Sequence, residues 1–172
     1  MKYFSSFQNK NVKNFAISSM DDYSTSEADI IFFEKILSDL PVRKYITDEA
    51  MITYGFRSIR SLTEDILKNS ALRWAENKEK RFLIRDQDHR PVGMIGVTLK
   101  DLTSGELWYY KTSSVESFVY ESLNKIFEFL KQDGILELVA SVESDNIRSI
   151  GILSAIGFHK DKQNECEWYK RL

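Results

Sequence analysis

The chain has 172 residues, and a length of this order corresponds to one domain. Hydrophobic residues make up 42% of the chain and charged residues 29%, so a packed core is expected and intrinsic disorder is excluded. Lys and Arg number 24 against 26 Asp and Glu, and the net charge of −2 argues against a nucleic-acid-binding protein, which needs a concentrated basic surface.

Hydrophobic periodicity divides the chain into strands and helices. The predicted elements, in chain order, are a strand at 14–20, helices at 27–40 and 61–77, strands at 81–85, 92–99 and 106–110, a helix that begins near residue 115, a strand at 136–142, a helix at 146–156, and strands at 158–160 and 166–171. The helix beginning near residue 115 has the clearest signal, because its apolar residues recur at i, i+3, i+4 and i+7 and Gly134 follows as a left-handed cap.

Two Ser-x-x-Glu patterns mark predicted helix starts. Ser61 and Glu64 have the spacing of a capping box at the second helix, and Ser113 and Glu116 have it ahead of the helix that begins near residue 115.

The order of the elements predicts the fold class. Helices alternate with strands in the second half of the chain, which favours an α/β domain built around a mixed sheet. The whole chain, residues 1–172, is expected to form one domain. Residues 1–13 are expected to be an N-terminal arm whose aromatic side chains pack on this domain or on a partner.

The sequence argues against several other protein classes. The longest stretch without Asp, Glu, Lys or Arg has eleven residues, 149–159, whereas a membrane-spanning helix needs about 20 apolar residues. The single cysteine, Cys166, cannot form an internal disulfide, and with only two histidines a usual zinc site is not expected. We therefore expect no membrane insertion, no metal, and a cytoplasmic location.

One C-terminal motif resembles a known family. Asn146, Ser149, Leu153, Gly157 and Phe158 reproduce the N-x-x-S-x-x-x-L-x-x-x-G-F segment of GCN5-related N-acetyltransferases (GNAT). The strand LELVASV precedes it in the same order as in that superfamily. The segments NFAISSMDDY and FLIRDQDHRPVGMIGVTLKD are similar to the front half of the branch that acetylates ribosomal proteins.

This resemblance implies a fold and an activity. The fold would be α/β, a single GNAT-like domain with a mixed twisted sheet and helices on both faces. The activity would be transfer of an acetyl group from acetyl-CoA to a primary amine of a peptide N-terminus, a polyamine or a small metabolite. The alternative is a degenerate domain of the same fold that binds a protein or small ligand without catalysis.

The loop expected to bind pyrophosphate departs from the family pattern. GNAT members have a Q/R-x-x-G-x-G/A loop there, whose glycines let backbone N–H groups approach the phosphates at a helix N-terminus. No glycine lies between Gly105 and Gly134 in this chain, and Glu116 would add a negative charge at that helix end. The polar residues that could still bind the co-substrate are Lys111, Thr112, Ser113 and Ser114.

Candidate site residues follow from the same resemblance. Glu106 is the predicted water-mediated base, the alternative being a solvated charge at a strand end. Asn146 is expected to bind the co-substrate, to cap a helix, or both. Ser149 is a candidate catalytic hydroxyl or a local hydrogen-bonding residue. The family's frequent tyrosine acid is replaced by Leu153, as in the ribosomal-protein branch.

Two further expectations concern the cleft and the assembly. Tyr109 and Tyr110 point to opposite sheet faces, and Tyr110 is predicted at the mouth of the cleft, with Tyr109 also a candidate for co-substrate binding. The cleft itself is expected where two neighbouring strands part, with the nucleotide thioester lying between them. Aromatic residues on the C-terminal hairpin are compatible with a homodimer.

Overall fold

A computed structural model describes residues 2–9, 13–112 and 118–172. The predicted co-substrate residues Ser113 and Ser114, and the predicted capping glutamate Glu116, lie outside the described residues.

Eight strands and a set of helices make up the described part of the chain. The strands are β1 (Phe4–Gln8), β2 (Asn14–Ser19), β3 (Glu79–Asp86), β4 (Pro91–Leu99), β5 (Ser104–Lys111), β6 (Glu137–Ser141), β7 (His159–Lys160) and β8 (Glu167–Arg171). The helices are α1 (Glu27–Ser38), α2 (Leu40–Val42), a π-helical turn (Arg43–Thr47), α3 (Asp48–Tyr54), α4 (Ile59–Lys68), α5 (Ser70–Ala75), α6 (Val119–Gln132) and α7 (Ile147–Ala155).

All eight strands belong to one mixed sheet. The strand order is β1-β2-β3-β4-β5-β6-β8-β7. Every neighbouring pair is antiparallel except β5 and β6, which are parallel. A parallel pair needs a crossover connection, and α6 provides it between β5 and β6.

Hydrophobic clusters lie on both faces of this sheet. One cluster joins α6 and α7 to the sheet and includes the fully buried Leu123 and Leu153. The other joins α1 and α4 to the opposite face and includes Phe33 and Leu67. The alternation of β5 explains the division, because Leu107 belongs to the first cluster and Tyr110 to the second. The predicted α/β domain with helices on both faces is therefore confirmed.

Four local features differ from the sequence-based predictions. The helix predicted to begin near residue 115 begins at Val119, directly after Phe118. The predicted arm contains an edge strand, since Phe4–Gln8 pairs with β2 and its alternation was too short to be recognised. The single helix predicted at 61–77 is divided at Asn69 into α4 and α5. The capping box uses Ser58 and Ser61 rather than Ser61 and Glu64, because α4 begins two residues earlier than predicted.

None of the helices within the described ranges combines the length and the apolar character that crossing a membrane requires.

Candidate active site

A gap opens between β5 and β6, the two parallel strands. They pair at only three positions, the last of which joins Glu106 to Val139. β5 then continues to Lys111 and β6 to Ser141 without further pairing between the two strands. Beyond Glu106 and Val139 the two strands do not pair with each other, so the expected parting of two neighbouring strands is confirmed.

Both strands run toward a helix at the open end of the gap. α6 follows β5, and α7 follows β6. Because β5 and β6 are parallel, the N-termini of both helices lie near the same end of the sheet. Helix N-termini carry partial positive charge and free N–H groups, so this end of the gap favours an anionic group.

Glu106 lies at the last paired position before the gap. Its carboxylate Oε1 accepts a hydrogen bond of 2.9 Å from the hydroxyl of Ser141, the last residue of β6. Glu106 is half-buried and Ser141 is exposed, so water reaches the pair. The structure thus places the predicted base at the gap, and Ser141, which the sequence analysis did not identify, beside it.

Asn146 caps the helix that follows β6. Its Oδ1 accepts a hydrogen bond of 3.3 Å from the backbone N–H of Ser149. The capping function inferred from sequence is therefore present, and it uses the carbonyl oxygen of the side chain. Its amide NH2 group remains a candidate donor to a ligand.

Tyr109 and Ser149 lie next to each other on the α6–α7 face of the sheet. The Tyr109 hydroxyl is buried and has no hydrogen bond of proper geometry among the described residues. Burial raises the pKa of Tyr109, while the nearby Ser149 side chain and the charge of Arg148 lower it. A buried hydroxyl is costly without a well-formed hydrogen bond, so Tyr109 and the adjacent Ser149 hydroxyl are candidate hydrogen-bonding partners for a ligand.

Tyr110 corrects the predicted placement at the mouth of the cleft. Its side chain is only 5% exposed and packs edge to face against Phe33 of α1, at 6.2 Å between ring centroids. Its hydroxyl contacts the Met94 sulfur at 3.4 Å, and burial raises its pKa. The physical reason is the alternation of β5, which turns Tyr110 under α1. Its predicted co-substrate binding stays a prediction.

Cationic side chains lie beyond the last paired position. Lys111 ends β5, and burial, followed by the charge of Arg148, lowers its pKa to about 8, while Asp39 raises it. Its Nζ donates to the Thr112 carbonyl oxygen at 3.1 Å, and the Thr112 N–H donates to Val92 at 3.0 Å. These two predicted binding residues therefore lie at the open end of the gap.

An ion pair that the sequence analysis missed borders the same region. Lys44 Nζ lies 2.6 Å from Asp145 Oδ2 and joins the π-helical turn to the residue before Asn146. Hydrogen bonding to Lys44 lowers the pKa of Asp145. The two residues are 101 positions apart in the sequence, so no local pattern indicates this contact.

These features define a class of protein. A mixed sheet that parts at a single parallel pair, with a carboxylate at the parting and a capped helix beside it, is the arrangement of an acyltransferase of the GNAT type.

Comparison with known proteins agrees with this class. The model of the acetyltransferase (GNAT) domain family matches residues 23–159, and the chain belongs to this family. No curated protein sequence matches the chain significantly. The family assignment made from the C-terminal motif is therefore confirmed.

Solved structures share the fold at low sequence identity. Mycobacterium smegmatis RimJ in complex with CoA-disulfide is similar with a TM-score of 0.75 and 13% identity, covering 98% of this chain and 86% of that one. The ribosomal-protein-S5-alanine acetyltransferase of Vibrio fischeri gives 0.65 and 12%, with coverage of 97% and 96%. Spermidine N-acetyltransferase of Vibrio cholerae, in complex with CoA and spermine, gives 0.64 and 14%, with coverage of 90% and 92%. The ribosomal-protein branch named in the sequence analysis is thus represented among structures with this fold.

Proposed function

We propose that this protein transfers an acetyl group from acetyl-CoA to a primary amine. The parting of β5 and β6 immediately after Glu106 is the observation that carries the proposal. It leaves strand backbone available to an extended ligand beside a carboxylate. Similar folds occur in proteins that act on ribosomal protein and on spermidine, so peptide N-termini and polyamines are the first acceptors to test.

Acetyl-CoA fits the character of the gap. Its extended pantetheine arm has amide groups that can pair with unpaired strand backbone, and its phosphates suit an end of the sheet where two helices begin. Lys111 and Thr112 are proposed to bind at that end. Asn146 is proposed to bind the arm through its amide NH2 group, because its carbonyl oxygen already caps α7.

The chemistry requires one proton to leave the amine and one to reach the sulfur. Glu106, through a water molecule, is proposed to accept the proton of the acceptor ammonium, so that the neutral amine attacks the thioester carbonyl. The C–N bond forms as the C–S bond breaks, and the thiolate of CoA takes up a proton. Leu153 is fully buried and has no proton to give, so Ser149 is the proposed donor, with the Tyr109 hydroxyl beside it.

Calorimetric titration with acetyl-CoA tests the binding step. We expect binding in the micromolar range by the wild-type protein, and loss of at least about ten-fold in affinity for Asn146→Ala. Asn146→Ser is the matched control, because serine keeps the capping oxygen but has no amide. Loss of affinity in both variants, with loss of thermal stability only in Asn146→Ala, separates ligand binding from helix capping. Absence of binding at millimolar acetyl-CoA would leave the degenerate, non-catalytic domain as the function.

Release of free thiol during turnover tests the catalytic step. Removing a general base typically slows turnover by about 10²–10⁴-fold, and we expect a loss of that order for Glu106→Gln. Its affinity for acetyl-CoA should stay at the wild-type value. Ser141→Ala is the companion variant, expected to have a much smaller effect because it removes only a hydrogen bond to the carboxylate. Equal turnover by wild-type and Glu106→Gln protein would contradict the proposed base.

A further inference from the structure

We propose that Trp108 is a wall of the acceptor site and limits the size of the amine that the protein accepts. This inference rests on the proposed acetyl transfer and concerns a residue to which no function has so far been given. Trp108 follows Glu106 by two positions on β5, so both side chains stand on the same face of the sheet.

The face that carries Glu106 and Trp108 is the accessible one beside the gap. On β6 and β8, Leu138, Ala140 and Trp168 turn toward the α6–α7 cluster and are buried. Ser141 and Tyr169 turn to the other face and are exposed. Next to the gap, an acceptor amine can therefore approach from solvent on the Glu106 face, whereas α6 and α7 cover the opposite one. On the Glu106 face, α1 packs farther along β5, over Tyr110.

The indole ring is fixed by a nearly buried ion pair. Trp108 Nε1 donates to Glu79 Oε1 at 3.0 Å. The other oxygen of Glu79 lies 2.5 Å from the Arg81 guanidinium, and these side chains are only 7% and 6% exposed. Arg81 in turn lies 5.9 Å from the centroid of the Trp108 ring. One charged unit thus binds the polar edge of the indole and also contacts its π system.

Packing fixes the plane of the same ring. A Cβ atom at Gly96 would lie 2.1 Å from Cζ2 of Trp108, so the indole lies directly on the backbone of β4. Tyr110 stacks on it at 5.8 Å between centroids and an interplanar angle of 11°. Trp108 is held from several sides, yet it remains partly exposed beside the open sheet.

This arrangement suits an ammonium group on an aliphatic chain. Side chains at alternate positions of a strand leave the backbone about 7 Å apart. The Glu106 carboxylate leans toward Ser141 on β6 and the indole leans over Gly96 on β4, so the two diverge, and we infer that one extended chain fits between them. A carboxylate attracts the ammonium group, and the ring face adds a cation–π contact. A bulky group on the acceptor meets the fixed indole, so we infer that Trp108 selects slender amines.

Kinetics with a slender and a bulky amine test the selection. Butylamine and cyclohexylmethylamine differ mainly in width, and the ratio of their kcat/KM values measures the discrimination. We expect Trp108→Ala to reduce this ratio by about ten-fold or more, the order of effect that a pocket wall has on discrimination. The KM for acetyl-CoA should be unchanged, and Trp108→Phe should keep most of the discrimination.

The indole N–H signals provide a readout that does not require turnover. The chain has three tryptophans, and Trp108→Phe identifies the signal of Trp108 in a ¹H–¹⁵N spectrum. Butylamine should shift that signal and leave those of Trp74 and Trp168 in place. Glu79→Leu should move the Trp108 signal and raise the KM for butylamine without changing that for acetyl-CoA, whereas Glu79→Gln, which keeps an oxygen acceptor, should restore both.

The outcomes distinguish this inference from the function on which it rests. Suppose that wild-type protein acetylates amines, but Trp108→Ala leaves the discrimination unchanged and butylamine leaves the Trp108 signal in place. The proposed function of Trp108 is then wrong, and the proposed acetyl transfer is still supported. If the wild-type protein neither binds acetyl-CoA nor acetylates any amine, the proposed function fails and the acceptor wall fails with it.

Discussion

Replacing Gly96 with alanine should displace Trp108 and destabilise the protein. The new methyl group would stand 2.1 Å from the indole ring, a distance that no packing tolerates, so the ring must leave its place on β4. It then loses the hydrogen bond to the Glu79 carboxylate, worth about 1.5–3 kcal/mol for a charged partner. It also loses its stacking on Tyr110, worth about 0.5–1.5 kcal/mol.

The net cost follows from these losses and one gain. Alanine restricts the unfolded chain more than glycine does, which returns about 0.4–1 kcal/mol. The net loss spans about 1–4 kcal/mol with a central value of about 2.5 kcal/mol, and in a chain of this size each kcal/mol lowers the melting temperature by about 2–4 °C. We therefore expect Gly96→Ala to melt about 5–10 °C below wild type in a thermal scan followed by circular dichroism.

Gly151→Ala is the matched control for this substitution. Gly151 lies inside α7, and a Cβ atom there would meet no atom within 4 Å apart from its chain neighbours and the backbone of its own helix. Alanine is the better helix former by about 0.5–1 kcal/mol, so this variant should melt above wild type.

A double-mutant cycle tests whether the Trp108 ring is what the new methyl group at position 96 clashes with. In a Trp108→Ala background the alanine at position 96 meets no indole, and its cost should fall below about 0.5 kcal/mol. A clash with the indole is refuted if Gly96→Ala has the melting temperature of the wild-type protein. It is also refuted if the substitution lowers the free energy of unfolding equally with and without Trp108.

Three further predictions concern charged side chains. The native pKa of Lys111, about 8, lies below the ordinary value of about 10.4 that lysine has in an unfolded chain, so the native state releases this proton first as pH rises. The urea midpoint of wild-type protein should therefore rise relative to that of Lys111→Met between pH 7.5 and 9.5. A difference between the two midpoints that stays constant over this range would contradict the lowered pKa of Lys111. Arg81→Met leaves the buried Glu79 carboxylate without its closest cation and should cost about 3–5 kcal/mol in urea unfolding. Lys44→Ala removes an exposed ion pair with Asp145 and should cost less than about 1 kcal/mol, so equal costs for the two variants would show that burial does not decide the strength of these pairs.

The sequence predicted best those helices and strands whose hydrophobic pattern extends over many residues. The amphipathic pattern of α6 and the apolar strands β4 and β6 are long, and tertiary contacts reinforce their local preferences. β1 has only five residues, and its strand state depends on pairing with β2 rather than on its own pattern. Residues 40–54 form a helical run with a π turn that has few buried side chains, so periodicity gave no signal there.

The candidate site was predictable only in part. Glu106, Asn146 and Ser149 carry short local signals, and the structure brings all three to the parting of β5 and β6 or to the helix beside it. The positions of Trp108 and Tyr110 depend on which residues cover each face of β5. Gly96 on β4 and Glu79 on β3 hold the Trp108 ring in place, and the sequence of β5 alone does not reveal these contacts. Homodimer formation through the C-terminal hairpin stays a prediction, with Tyr169 exposed and Trp168 buried.

The three-position ladder between β5 and β6 has a consequence for the lifetime of the protein in a cell. It is the only sheet pairing in the described chain that joins β1–β5 to β6–β8, so few backbone hydrogen bonds hold the two parts together at this seam. A ligand that pairs with both strands adds to them, and a ligand at 100 times its dissociation constant stabilises its protein by about 2.7 kcal/mol. When that ligand is scarce, this stabilisation is lost, and a larger population of open protein is exposed to proteases. The abundance of this protein would then follow the supply of the metabolite it binds.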